Sequence, residues 1–157
     1  MRRTDREITE IEKILEIVGA AKYLHLGLFD KEYPYVVPLH YGYEYTEGVL
    51  VFYLHSAKEG HKLDLIKENP NVCVELESDV VPVSGGEIAC KYGSMYASVI
   101  GRGKAHLVRD EREKIRALEL LMENQTGRRF TIDGNMASSV EVIKVELGEF
   151  TAKARLK

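Results

Sequence analysis

Hydrophobic and polar positions along this chain change period several times, and each change marks an element. Ile8, Ile11, Ile14, Leu15 and Val18 recur at the spacing that turns one stripe of a helix toward a core, and Thr9 with Glu12 has the form of a capping box. The period then drops to two. Leu24, Leu26 and Leu28 alternate with Tyr23, His25, Gly27 and Phe29, which predicts a strand with one buried face, and Asp30-Lys31-Glu32 supplies a polar turn. Tyr35 to Glu44 and Val49 to Leu54 are two further β-rich runs joined through Tyr45-Thr46-Glu47-Gly48, whose glycine can take the left-handed conformation of a tight hairpin. Leu63 and Ile66 predict a short helix that stops near Asn69, because Pro70 disfavours helical geometry in the residue before it.

Val72 to Leu76 resumes the sheet, and Asp79 to Gly93, with Pro82, Gly85, Gly86 and Gly93, reads as a long excursion outside the core. Tyr96 to Val108 is a long strand in which Gly101 and Gly103 permit a bulge or coil. Asp110 with Glu113 caps a second helix that carries Ile115, Leu118 and Leu121 or Met122 on one stripe and ends by Gly127. Val140, Val142 and Val145 begin the return to the sheet. Many short antiparallel strands with few helices predict an α+β fold, mainly antiparallel β, closed or split as a barrel.

Composition narrows this picture. A chain of 157 residues without linker, repeat or low-complexity tract reads as one domain, residues 1–157. A formal charge of -3 gives no reason to expect nucleic acid or an anionic membrane surface as partner. The N-terminus is basic but leads into an amphipathic segment, so it does not read as a signal peptide, and no apolar run approaches a membrane span. Cys73 and Cys90 lack metal-site spacing, which leaves a reducing cytoplasm as the expected location and Cys73 as a small buried hydrophobe.

The stretch His55-Ser56-Ala57-Lys58-Glu59-Gly60-His61-Lys62-Leu63-Asp64 carries the candidate chemistry. It joins an apolar strand to a helix and combines a hydroxyl, a glycine and lysines at a helix start, where unpaired amides favour an anion; its bland reading is a polar loop with solvated lysines. No dinucleotide fingerprint, P-loop, Ser-His-Asp set or Glu-x-x-His arrangement is present. Upstream stand Tyr33-Pro34-Tyr35-Val36-Val37-Pro38-Leu39-His40-Tyr41 and Val49 to Leu54; downstream stand Asn69 to Glu75 and Tyr96 to Ala105. In that order and spacing, from Arg2-Arg3-Thr4-Asp5-Arg6-Glu7-Ile8 to the last strand, the chain resembles the pyridoxamine 5'-phosphate oxidase-like flavoproteins, within them the branch related to nitroimidazole-resistance proteins.

That resemblance implies a six-stranded split β-barrel with flanking helices, dimeric, binding flavin mononucleotide (FMN). The phosphate would lie near Ser56, Ala57, Gly60 and Lys62, and the ring along Val36, Val37, Pro38 and Leu39. His55 matches a histidine placed near the flavin and a small molecule in that branch, a catalytic candidate whose alternatives are a strand-end histidine or a haem ligand. His40, His25 and His106 have weaker claims. Tyr92, Tyr96 and Ser98 fall in a region that approaches the flavin of the opposite subunit, or else are ordinary barrel residues. Arg102 and Lys104 add charge near the phosphate or lie in water. His61 stands where relatives carry arginine, and Ala152 replaces the glycine of a Thr-Gly-Lys ending, leaving Lys153 to neutralise an anion. The function implied is an FMN-dependent oxidoreductase, in a homodimer, passing electrons from NAD(P)H or another donor to a small acceptor. The rivals are a non-catalytic flavin- or haem-binding module and a true pyridoxamine phosphate oxidase.

Overall fold

The computed structural model describes residues 3–155; Arg2, where the family resemblance begins, lies outside the described residues. The elements run β1 (Glu7–Ile8), α1 (Ile11–Ala20), β2 (Leu24–Asp30), β3 (Tyr33–Leu39), β4 (Tyr41–Thr46), β5 (Val49–Ser56), α2 (His61–Glu68), β6 (Asn71–Val83), β7 (Gly93–Leu107), α3 (Glu111–Thr126), α4 (Gly134–Ser138) and β8 (Glu141–Arg155). The sheet order is β3-β2-β6-β7-β8-β5-β4, every ladder is antiparallel, and β1 pairs with β8. The two end strands, β3 and β4, are consecutive in sequence with only His40 between them, so the sheet must curl until its ends approach. No ladder joins them, and the barrel is split along that line.

The α+β split barrel agrees with the sequence reading, but the described residues hold eight strands, not six. The first addition is β1. Ile8 pairs with Ala152, and the chain stays extended through Glu10, so α1 starts at Ile11 and the Thr9–Glu12 capping box does not form. The second comes from Tyr35–Glu44, which breaks at His40 into β3, paired with β2, and β4, paired with β5. Contacts distant in sequence make this corner: His40 Nδ1 lies 3.1 Å from Lys22 O and 2.8 Å from Gln125 Oε1, and the Asn124 and Gln125 side chains each donate to Tyr41 O at 2.9 Å. Both partners of Nδ1 are acceptors, so this nitrogen is assigned the proton.

The excursion at Asp79–Gly93 is also shorter than expected. β6 passes through a bulge after Ser78, with Asp79 at φ 55°, and continues to Val83, where Pro82 pairs with Ser94. No residue from Asp79 to Tyr96 is buried, so this hairpin forms an arm outside the core.

The inward positions of the strands make one large apolar cluster, including Leu24, Leu26, Phe52, Leu54, Val74 and Ile143, each fully buried side chain contributing about 1.5–3 kcal/mol. Tyr41 closes its end: the buried hydroxyl lies 2.5 Å from Val18 O and 3.1 Å from Ala21 O and shares its one proton between them, tying β4 to α1. α3 has the predicted ends. Asp110 accepts from Glu113 N at 2.9 Å, and Gly127 takes φ 68°. Its deeply buried positions are Ala117 and Leu121, and its backbone lies directly on β4: a Cβ at Gly42 would stand 2.3 Å from Leu121 N. Between Arg102 and Gly103 the β7–β8 register slips at the predicted bulge. No helix among the described residues is long and apolar enough to cross a membrane.

Candidate functional site

The segment from Ser56 to Lys62 forms a cradle at the split. β5 ends at Ser56, and Gly60, at φ 153° with open space where a Cβ would stand, leads into α2 at His61. The first amides of a helix have no intrahelical acceptor and carry partial positive charge. Beside them Ser56 is only 5% exposed, yet its hydroxyl has no hydrogen-bond partner. Lys62 is partly buried and forms no ion pair among the described residues. His55 is exposed at the strand end; desolvation first, then the nearby His40 and Lys62, hold its imidazole below the usual histidine pKa. It is therefore a neutral ring at pH 7, able to accept one hydrogen bond and donate another.

β3 lies alongside. Its hydrogen bonds to β2 occupy one edge, and its other edge has no strand partner among the described residues. Tyr35 links it to the cradle through an edge-to-face contact with His61, centroids 5.2 Å apart, while His61 Nε2 sits 2.7 Å from Asp30 Oδ2. His61 is thus already held by a carboxylate. The four ring-binding candidates do not present one face: Val37 and Leu39 turn toward the core, whereas Val36, 58% exposed, and Pro38 turn outward. What the strand offers along its length is its unpaired backbone edge.

The remaining candidates lie elsewhere. Tyr92 is exposed on the arm, where Ser84 Oγ donates to its hydroxyl at 3.4 Å. Tyr96 lies under Lys153, whose Nζ is 5.6 Å from the ring centroid. A hydrogen bond from Arg6, with the charges of Lys153, Arg6 and Arg3, holds the Tyr96 phenol below its usual pKa. Ser98 is 5% exposed with its hydroxyl unpartnered. The β8 ladder measures their separation from the cradle: Ser56 pairs with Glu141, and Ser98 with Lys153. Roughly 40 Å of strand lies between, at about 3.3 Å per residue. One chain does not bring these two groups together.

A concavity of ≈ 780 Å³ lies apart from the cradle, on the outer face of β3, β2, β6 and β7, and shares only Val36 with the predicted cofactor residues. Arg102 and Lys104 line that groove. Cys73 lines it too and is exposed, not buried, because strand alternation turns it to the face opposite Val72 and Val74. Ala152 is buried within β8, opposite Val99, so no glycine-requiring turn exists there. Sequence reasoning missed Asp30 and Tyr35 as partners of His61, and the meeting of His25 with Glu75 and Glu77 on the outer face. Glu75 and Glu77 at i and i+2 could be read as sharing a strand face; their histidine neighbour could not.

Comparison with known proteins extends these observations. A structure of a protein provisionally described as a 5-nitroimidazole antibiotic resistance protein from Bacteroides thetaiotaomicron is 32% identical, with a TM-score of 0.79, covering 94% of this chain and 86% of that one. The flavocytochrome Anf3 of Azotobacter vinelandii superposes at a TM-score of 0.77 with 20% identity, over 100% of this chain and 72% of that one. The FAD and haem binding protein of Mycobacterium smegmatis does so at 0.76 with 15% identity, over 97% and 74%. Among curated proteins no match is found. The sequence profile described as pyridoxamine 5'-phosphate oxidase matches residues 10–154, nearly the whole chain, and with the split barrel it establishes that this chain belongs to the pyridoxamine 5'-phosphate oxidase-like family.

Proposed function

We propose that this protein is a homodimeric, cytoplasmic FMN-dependent oxidoreductase that passes electrons from a reduced nicotinamide or other donor to a small acceptor, nitroaromatic compounds among them. The observation that carries this reading is the pair of buried serine hydroxyls, Ser56 and Ser98, which lack partners within one chain. Buried polar groups in native proteins are satisfied almost without exception, so a ligand or a second chain is the natural source of the missing bonds. Three more features support an FMN phosphate at the cradle: the amides at the start of α2, the uncommitted Lys62, and the open space over Gly60. The free edge of β3 supplies backbone donors and acceptors to the polar rim of a flavin ring.

FMN would supply the two-electron redox centre; the chain's part is to bind, orient and shield it. In this reading Ser56 donates to the phosphate, Lys62 neutralises it, and Asp30 orients His61 at the cradle mouth. His55, neutral at pH 7, lies where it can hydrogen-bond the ring or the acceptor. Because Tyr96 and Ser98, on β7, pair with the end of β8 remote from the cradle, they would serve the flavin of the partner subunit in a dimeric active unit.

The test is an absorption spectrum of the purified protein before and after FMN addition and desalting, beside Lys62→Ala. Flavin bands retained by the wild type and lost in the variant are the expected result. A folded wild type that retains no flavin overturns the assignment. A Soret band instead would favour haem, with His55 or His40 as ligand, consistent with haem in two structural neighbours.

A further inference from the structure

On the outer face of the sheet, β2 and β6 bring together three side chains of the kind that ligate metals. His25 stands opposite Glu75 in the ladder, and strand alternation puts Glu77 on the same face. His25 Nδ1 lies 3.1 Å from Glu75 Oε2 and 3.8 Å from Glu77 Oε2, and one ligand atom from each residue falls within 4.8 Å of the others. Two carboxylates in contact repel unless a proton or cation stands between them. No lysine or arginine pairs with either glutamate among the described residues; His25 is the sole ion-pair partner of both.

A separate feature points to something further at this place. Ser98 stands opposite Glu77 on β7, so its side chain shares that face, and it is the buried serine whose hydroxyl lacks a partner. The ≈ 780 Å³ groove on this face includes His25 and Glu75 in its lining, leaving room on the solvent side for more ligand atoms.

We propose that His25, Glu75 and Glu77 form a binding site for a divalent transition-metal cation of the Zn²⁺ class, with the Ser98 hydroxyl bonded to a water in its coordination shell. One imidazole and two carboxylates suit a borderline cation better than Ca²⁺ or Mg²⁺, which take oxygen ligands, and better than a thiophilic metal. Three protein ligands leave at least one coordination position open, as in sites where a metal exchanges water or binds a small ligand. None of the three ligands belongs to the residues proposed for FMN; Ser98 alone is shared with that reading, and its hydroxyl can donate to one partner while accepting from another.

The experiment is a calorimetric titration of EDTA-treated, flavin-free full-length protein with Zn²⁺, repeated with His25→Ala, Glu77→Gln and Cys73→Ser. The expected result is saturable binding of one Zn²⁺ per chain, weakened at least about tenfold by either of the first two substitutions and unchanged by the third. Co²⁺ loaded into the wild type should show visible ligand-field bands without the intense thiolate absorption that Cys73, exposed on the same face, would add. Circular dichroism verifies that each variant is folded, and the Co²⁺ spectrum tests the wild type alone if one is not. Absence of saturable Zn²⁺ binding, binding unaltered in folded His25→Ala and Glu77→Gln, or a site lost in Cys73→Ser overturns the proposal. Flavin retention in the spectrum described above is a different readout, so failure of one assignment leaves the other standing.

Discussion

Ser56 is the residue at which structural and functional roles separate most cleanly. A serine held for stability would be hydrogen-bonded; this hydroxyl is buried without a partner, which costs about 1–3 kcal/mol. Ser56→Ala is therefore expected to leave the melting temperature of the flavin-free protein unchanged or raised. The same variant should bind FMN about ten- to a hundredfold more weakly, the equivalent of losing a hydrogen bond to a charged group. Fluorescence titration with FMN beside a thermal melt reads both. His55 gives a second prediction at this scale. Its folded-state pKa lies below the ordinary value of 6.5, so the folded protein takes up that proton less readily than the unfolded chain. This residue contributes no penalty above the unfolded value; stability falls as pH drops through it and stops falling below the folded value. His55→Gln should accordingly lose less melting temperature than the wild type between about pH 7 and pH 5.

At the scale of elements, the α3–β4 contact decides whether the corner at His40 exists. Gly42 is there because the α3 backbone occupies the place of a side chain, with Leu120 C and Leu121 N both within 2.5 Å of the point where a Cβ would stand. Gly42→Ala forces backbone against backbone and should destabilise by about 1–3 kcal/mol or more, measured by chemical denaturation. Asp110→Ala, which removes only the cap of the same helix, should cost about 1 kcal/mol. The comparison separates helix stability from helix seating. If seating matters to the site, Gly42→Ala also lowers FMN affinity, since the end of α3 holds His40 beside His55.

Over the whole molecule, the arm is the part least explained by one chain. From Asp79 to Tyr96 nothing is buried, although Val80, Val81, Ile88 and Tyr92 are large and apolar, each more than 40% exposed. A proposed dimer gives these side chains a surface to cover and brings Tyr96 and Ser98 to a cradle they cannot reach within their own subunit. Light scattering should report a dimer. Val81→Glu, which places a charge on the arm and touches no cradle residue, should shift it toward monomer and weaken flavin retention together. A fully dimeric Val81→Glu with undiminished flavin binding would remove the arm from the interface.

Much of the local architecture is legible in the residues themselves. The end of α2 before Pro70, the Asp110 cap, the Gly127 terminus, the alternation of β2 and the bulge near Gly103 all follow from periods and caps that span a few neighbours. The cradle segment is legible for the same reason, since Ser56, Gly60 and Lys62 lie within one strand–loop–helix junction. What depends on register and on distant packing is not. The break at His40 is imposed by Lys22 and Gln125, the Asp30–His61 pair by the placing of α2 against the β2–β3 turn, and the outward turn of Cys73 by which face of β6 meets the core. The sequence by itself determined the ends of α3, the end of α2 and the inward face of β2, because those choices are settled by local backbone geometry and hydrophobic period. Only the tertiary structure decided that Ser56 and Ser98 pair with opposite ends of β8 and that His25 meets Glu75 and Glu77. Cross-strand neighbours are chosen by the packing of the whole sheet, in which a one-residue slip would turn every side chain to the other face.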